Sequence, residues 1–143
     1  MNEADAVLAY WFDELTPPQW FEKNAEMDAQ ISARFGAVHG SAARGELASW
    51  RGTAQGRLAE VIVLDQFSRN MFRDTPGAFA ADGMALERSR EAIAAEADLE
   101  LSEQQRIFLY MPFMHSESSE VHVEAVALFE ALDNEQALHF EHL

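Results

Sequence analysis

A chain of 143 residues without a single cysteine fits one all-helical domain spanning 1–143. It is long enough to bury roughly two thirds of the surface its unfolded form exposes, and it excludes disulfides, thiolate zinc sites and thiol nucleophiles. The formal charge of −15 argues against nucleic acid and anionic membrane faces as partners, because both require a basic footprint. The acidic start MNEADAVLAYWFDE has no basic n-region and no long apolar run, so it reads as neither signal peptide nor membrane span, and the expected compartment is the cytoplasm.

Helical periods dominate, and no segment sustains a two-residue alternation. About seven helices are expected. Asn2, with Asp5 at the capping-box position, opens the first, which carries Tyr10, Trp11 and Phe12 and stops at Pro17 and Pro18. The second runs from about Asn24 to Arg44, with Met27, Ile31, Phe35 and Val38 on one stripe. Thr53 caps the third, which extends to about Phe72. Thr75-Pro76-Gly77 breaks the chain, and Asp82 reads as the cap of a fourth helix through Met84, Leu86 and Ile93. Ser102 and Gln105 form a capping box for the fifth, and Pro112 is expected to kink or end it. Ser118 or Ser119 opens a sixth through Val123, Val126 and Phe129, and Asn134 opens a seventh that reaches Leu143 without a stop signal. The short connections predict a stack of antiparallel helical hairpins.

Two helices are apolar all round and therefore central. On the third, Leu58, Val61 and Ile62 mark one direction while Val63, Leu64, Phe67 and Met71 cover the other side. The same geometry places Asp65 at about −20° and Arg69 at about +20° from Leu58, so this i,i+4 pair, acid first, continues the Leu58/Ile62 stripe. Gln66, Asn70 and Arg73 widen the polar patch. Arg69 and Arg73 are a like-charged i,i+4 pair, which calls for an anionic group between them. A buried Asp–Arg pair also serves purely as a packing device, and arginines near a helix C-terminus suit its dipole.

Residues 107–117, IFLYMPFMHSE, repeat the theme: an apolar run is followed at once by His115, Ser116 and Glu117. In an up-and-down stack the third and fifth helices run parallel, so both polar ends fall on one side of the molecule and one pocket can hold both. A lone histidine after a helix more often caps carbonyls than performs catalysis. His115, Glu117, Glu120, His122 and Glu124 crowd together without a closed metal-ligand spacing, so no metal is expected. No cofactor is expected either, since no P-loop, GxGxxG or GxSxG motif is present. Trp11, Phe12, Phe35 and Trp50 read as core, whereas Trp20 follows a proline pair and is the aromatic placed at a pocket mouth.

YWF, WFEKN, RFG..H, LDQFSRNMFR and FLYMPFMHSE, in this order along nearly the whole chain, resemble an uncharacterised bacterial family, the domain-of-unknown-function family nine-twenty-four. The resemblance implies a tetratricopeptide-like all-helical superhelix and brings no established activity. It also implies a continuation that this sequence lacks, a basic stretch with a second Phe-Pro-His-Arg-Asn-like motif echoing FSRN. No Lys or Arg follows Arg106 here, while Glu117, Glu120, Glu124, Glu130, Asp133, Glu135 and Glu141 do. Either the chain is C-terminally truncated relative to the family or a partner covers the acidic end.

Three functions compete. The favoured one is a binding module whose ligand-binding candidates are Trp20, Asp65, Gln66, Arg69, Asn70, Arg73, His115 and Glu117, holding an anionic small molecule or peptide by bidentate arginine contacts. The second is a small hydrolase with His115 or Asp65 as general base. The third is a structural or protein-interaction domain without a ligand, forming a homo-oligomer through its acidic C-terminal helices.

Overall fold

Local signals set the helix ends. The structure is a computed structural model that describes residues 2–141, with side chains through residue 133. Asn2 Oδ1 accepts from the Asp5 N–H at 2.8 Å and opens α1 (Glu3–Leu8), which continues as a π-helical segment, Ala9–Glu14. Pro17 and Pro18 start a 3₁₀ turn, Pro17–Trp20. Asn24 caps α2 (Ala25–Ala43), and Thr53 caps α3 (Ala54–Ile62) by accepting from the Gly56 N–H at 3.0 Å. Helix α3 passes without a break into a π-helical turn, Val63–Phe67, and a last helical turn, α4 (Ser68–Met71). Then follow α5 (Asp82–Ala94), α6 (Glu103–His115) and α7 (Ser119–Glu141). Among the described residues no strand occurs, and no helix is long and apolar enough to cross a membrane.

Two sequence expectations are corrected. Asp82 does not cap α5: Ala81 occupies the cap position with no side-chain bond, and the Asp82 carboxylate is taken by Arg69 instead. Pro112 lies inside the last turn of α6, which ends three residues on, at His115. Its missing N–H frees the Phe108 carbonyl, and Ser89 Oγ donates to the next carbonyl, Leu109 O, at 2.6 Å, so α5 supports α6 at this point. Asn134 does not start a seventh helix, because nothing between Ser119 and Glu141 breaks the sixth; the side chains of Asn134, Glu135 and Glu141 lie outside the described residues.

Helix α3 is the centre. It packs against α1, α5 and α6, and Leu58, Ala59, Val61 and Ile62 are wholly buried. Trp11 meets Phe67 and Phe108 edge-on with ring centroids 5.8 and 5.5 Å away, a favoured arrangement that adds to the area these rings bury. A charged side chain of α3 itself lies inside this apolar layer. Glu60 is 1 % exposed and receives Arg51 through two bonds of 2.9 and 2.8 Å, with Arg88 at 3.5 Å.

These contacts fix two stability outcomes. A methyl group at Gly56 would lie 1.9 Å from the Trp50 carbonyl oxygen, a backbone atom that cannot step aside. Gly56→Ala therefore destabilises by about 1–3 kcal/mol, the range for overpacking, read as a lower urea midpoint. Glu60→Ala leaves Arg51 without its carboxylate, while Arg88 keeps Glu91, and destabilises by about 3 kcal/mol, whereas Asp5→Ala at the exposed α1 cap shifts the midpoint by much less.

Candidate functional site

The polar end of the α3–α4 run divides into two clusters. The first is centred on Asp65, which sits in the π-helical turn and has no solvent exposure. A buried carboxylate needs hydrogen-bond donors on both oxygens, and Asp65 has them. Its Oδ1 accepts from Arg69 Nη1 at 3.1 Å and lies 2.8 Å from His115 Nδ1, while Oδ2 accepts from Gln66 Nε2 at 2.9 Å. Arg69 Nη1 also reaches the Asp65 carbonyl at 3.0 Å. The guanidinium then forks onto Asp82 of α5, at 2.9 and 3.1 Å, and lies over the Phe79 ring at 5.3 Å from its centre.

The ends of α3 and α6 thus meet through Asp65 and His115, the juxtaposition the parallel helices predict. Because an ionised carboxylate only accepts, the Nδ1 of His115 carries the proton, which leaves the Nε2 lone pair free when the ring is neutral. His115 lines a cleft of about 530 Å³ together with Arg69, Asp82, Gly83, Pro112 and Glu117; Phe79, Leu86 and Ser116 complete it. Asp65 and Gln66 stand behind this wall and position it.

The second cluster faces α2. Arg73 forks onto Asp28 at 2.7 and 3.2 Å, and Asn70 Nδ2 donates to the same carboxylate at 2.9 Å. Burial pushes the Asp28 carboxyl up, but the bonds from Arg73 and Asn70 outweigh it and hold the group below its ordinary value. The anionic partner expected between Arg69 and Arg73 is thus replaced by separate protein carboxylates, one set for each arginine. Neither Arg73 nor Asn70 lines the cleft. Trp20 does not line it either: its Nε1 donates to the Trp11 carbonyl at 2.8 Å, and its ring packs 4.8 Å from Phe108 in the aromatic layer.

Sequence reasoning missed Asp82 and Phe79, which follow a chain break, and Asp28, which lies 42 residues before Asn70. No local signal ties these to the motif. It also missed the pairing of His39 Nε2 with Ser68 Oγ at 2.7 Å, which joins the RFG..H and FSRN motifs inside the protein. Among the described residues no three His, Asp or Glu side chains are grouped to hold a metal ion.

Burial lowers the His39 pKa below its ordinary 6.5, so folding favours the neutral ring. A group depressed in this direction gives stability that is full above the ordinary value and is lost as pH falls through the depressed one. The urea midpoint of the wild type accordingly drops on acidification below 6.5, and His39→Gln, which keeps a polar partner for Ser68, flattens that drop. The loss tied to Asp28 lies in a separate window below 3.8.

The chain matches, over residues 7–142, the family described as bacterial protein of unknown function (DUF924). It is similar to the solved structure of a protein of unknown function from Agrobacterium tumefaciens, at 37 % identity and a TM-score of 0.87, covering 90 % of this chain and 73 % of that one. No curated protein matches.

Proposed function

The chain belongs to the bacterial DUF924 family, whose function is unknown, and from that premise we propose that the cleft between α4, α5 and α6 is a small-molecule site where His115 acts as general base, in a hydrolytic reaction. One observation carries the reading: a fully buried carboxylate holds Nδ1 of a histidine whose side chain is 26 % exposed and lines the cleft. An Asp–His pair of this kind orients the ring, fixes its tautomer and stabilises the imidazolium formed when Nε2 takes a proton. In the proposed step Nε2 removes a proton from a water molecule as that water attacks an electrophilic carbon or phosphorus, and returns the proton to the leaving group. The first turn of α5 has no side-chain cap and borders the cleft at Asp82 and Gly83, so its backbone N–H groups are available to a developing negative charge.

The competing reading is a binding module in which Arg69, Arg73, Gln66, Asn70 and His115 hold an anion. Its support is that Arg69 and His115 line one cleft. Against it, Arg69 is already matched by Asp65 and Asp82, and Arg73 by Asp28. An interaction domain forming a homo-oligomer through α7 is the third reading, favoured only by the exposed Val123 and Val126 on that helix.

Two measurements test the general base. Nitrogen-15 spectra of the ring are expected to show the Nδ1–H tautomer at neutral pH, turning toward Nε2–H in Asp65→Asn, and an Nε2–H tautomer in the wild type removes the base. A panel of nitrophenyl esters and phosphoesters is expected to give turnover that falls at least about 10²-fold in His115→Gln, with far-ultraviolet dichroism unchanged. Turnover that survives this substitution would falsify the role.

A further inference from the structure

We infer that the molecule taken by this cleft carries a positive charge, an organic ammonium group seated between Glu117 and Phe79; the inference rests on the cleft being the working site. Charge is the first reason. In and behind the wall stand one guanidinium, Arg69, and three carboxylates, Asp65, Asp82 and Glu117. Arg69 is shared between the first two, which leaves Glu117 exposed at the cleft with no ion pair among the described residues.

The second reason is aromatic and independent of the first. Phe79 lies in the short 3₁₀ turn before α5, remains 61 % exposed and still lines the cleft. It takes no part in the buried aromatic layer, so packing does not account for it. Its ring already attracts one cation, Arg69, at 5.3 Å, and most of its surface is open to a second. Ring and carboxylate together, in a cleft also lined by the apolar Leu86 and Pro112, match the needs of an alkylammonium head: a soft face for its carbon surface and a full charge for the nitrogen. An anionic ligand meets the reverse, an unpaired carboxylate and an arginine already paired with two carboxylates.

Three probes of one shape separate these cases: benzyltrimethylammonium, benzyl alcohol and benzoate, titrated into the full chain and followed by the resonances of His115 and Phe79. The cation is expected to bind about tenfold more tightly than benzoate, with an affinity that weakens as salt is added. Glu117→Gln and Phe79→Leu, both at exposed positions, each weaken the cation several-fold, and Glu26→Gln, which removes the same charge from α2, does not. Benzoate binding as tightly as the cation, cation affinity indifferent to both cleft substitutions, or no saturable binding in the millimolar range overturns the inference. His115→Gln distinguishes the two claims. If cation binding persists in that protein while turnover is unaffected by the substitution, the charge assignment stands and the general base falls; if turnover is lost and benzoate is the tighter ligand, the reverse holds.

Discussion

The Asp65 carboxylate is the constraint from which the rest follows. It lies towards the end of the buried α3–α4 run, where an ionised group without donors is intolerable, and it is satisfied by side chains of its own run and of α6. Gln66 and Arg69 reach it locally, one and four residues on, while His115 comes from 50 residues away. Arg69 carries the connection on to Asp82 at the start of α5. One carboxylate therefore fixes where the ends of three helices meet, and the cleft is the space left between them. The π-helical turn is where this happens: an insertion of that kind changes the direction in which successive side chains leave the helix, and such turns are frequent at functional sites.

The same logic explains why nearly all the basic residues are arginine. Arg51 with Glu60, Arg73 with Asp28, Arg69 with Asp82 and Arg90 with Glu124 are all forked pairs joining different elements. A planar guanidinium satisfies both oxygens of a carboxylate at once, which lysine cannot do. The pairs with Glu60, Asp28 and Asp82 are shielded from solvent and specify which helices are neighbours; the pair with Glu124 is largely exposed and contributes little. With the cations committed in this way, the surplus negative charge is left on the surface and in the cleft.

Much of the fold was legible from periodicity and caps. Asn2, Thr53 and Ser102 cap the helices they were read to cap, and the two helices without a polar face are the buried ones. The failures share a physical cause. Asp82 has the residue type and position of a cap, but a guanidinium from α4 competes for the same carboxylate, and only the folded chain brings it there. At the site, the i,i+4 geometry correctly joined Asp65 to Arg69 and the parallel helices correctly brought His115 alongside. The like-charge argument for a shared anion was sound for an isolated helix and misleading in the fold, since α2 and α5 each bring a carboxylate that no spacing within the motif encodes.

A purely structural account of the Asp65 cluster leaves His115 unexplained. Arg69 and Gln66 already provide one donor to each carboxylate oxygen, and Arg69 supplies the compensating charge. A third donor that existed only to tie α6 to α3 would be expected to be buried with them, as Tyr110 is where its hydroxyl donates to Asp98 at 2.7 Å and joins α6 to the turn before it. Instead the chain ends α6 at this residue, keeps the imidazole at the wall of a cleft and orients it from behind with a carboxylate that water does not reach. Carboxylate charge and ring orientation are coupled most strongly where the dielectric is low, so the hidden position of Asp65 strengthens its hold on His115 while the exposed ring edge stays available. That combination of a concealed anchor and an accessible ring serves proton transfer better than it serves packing.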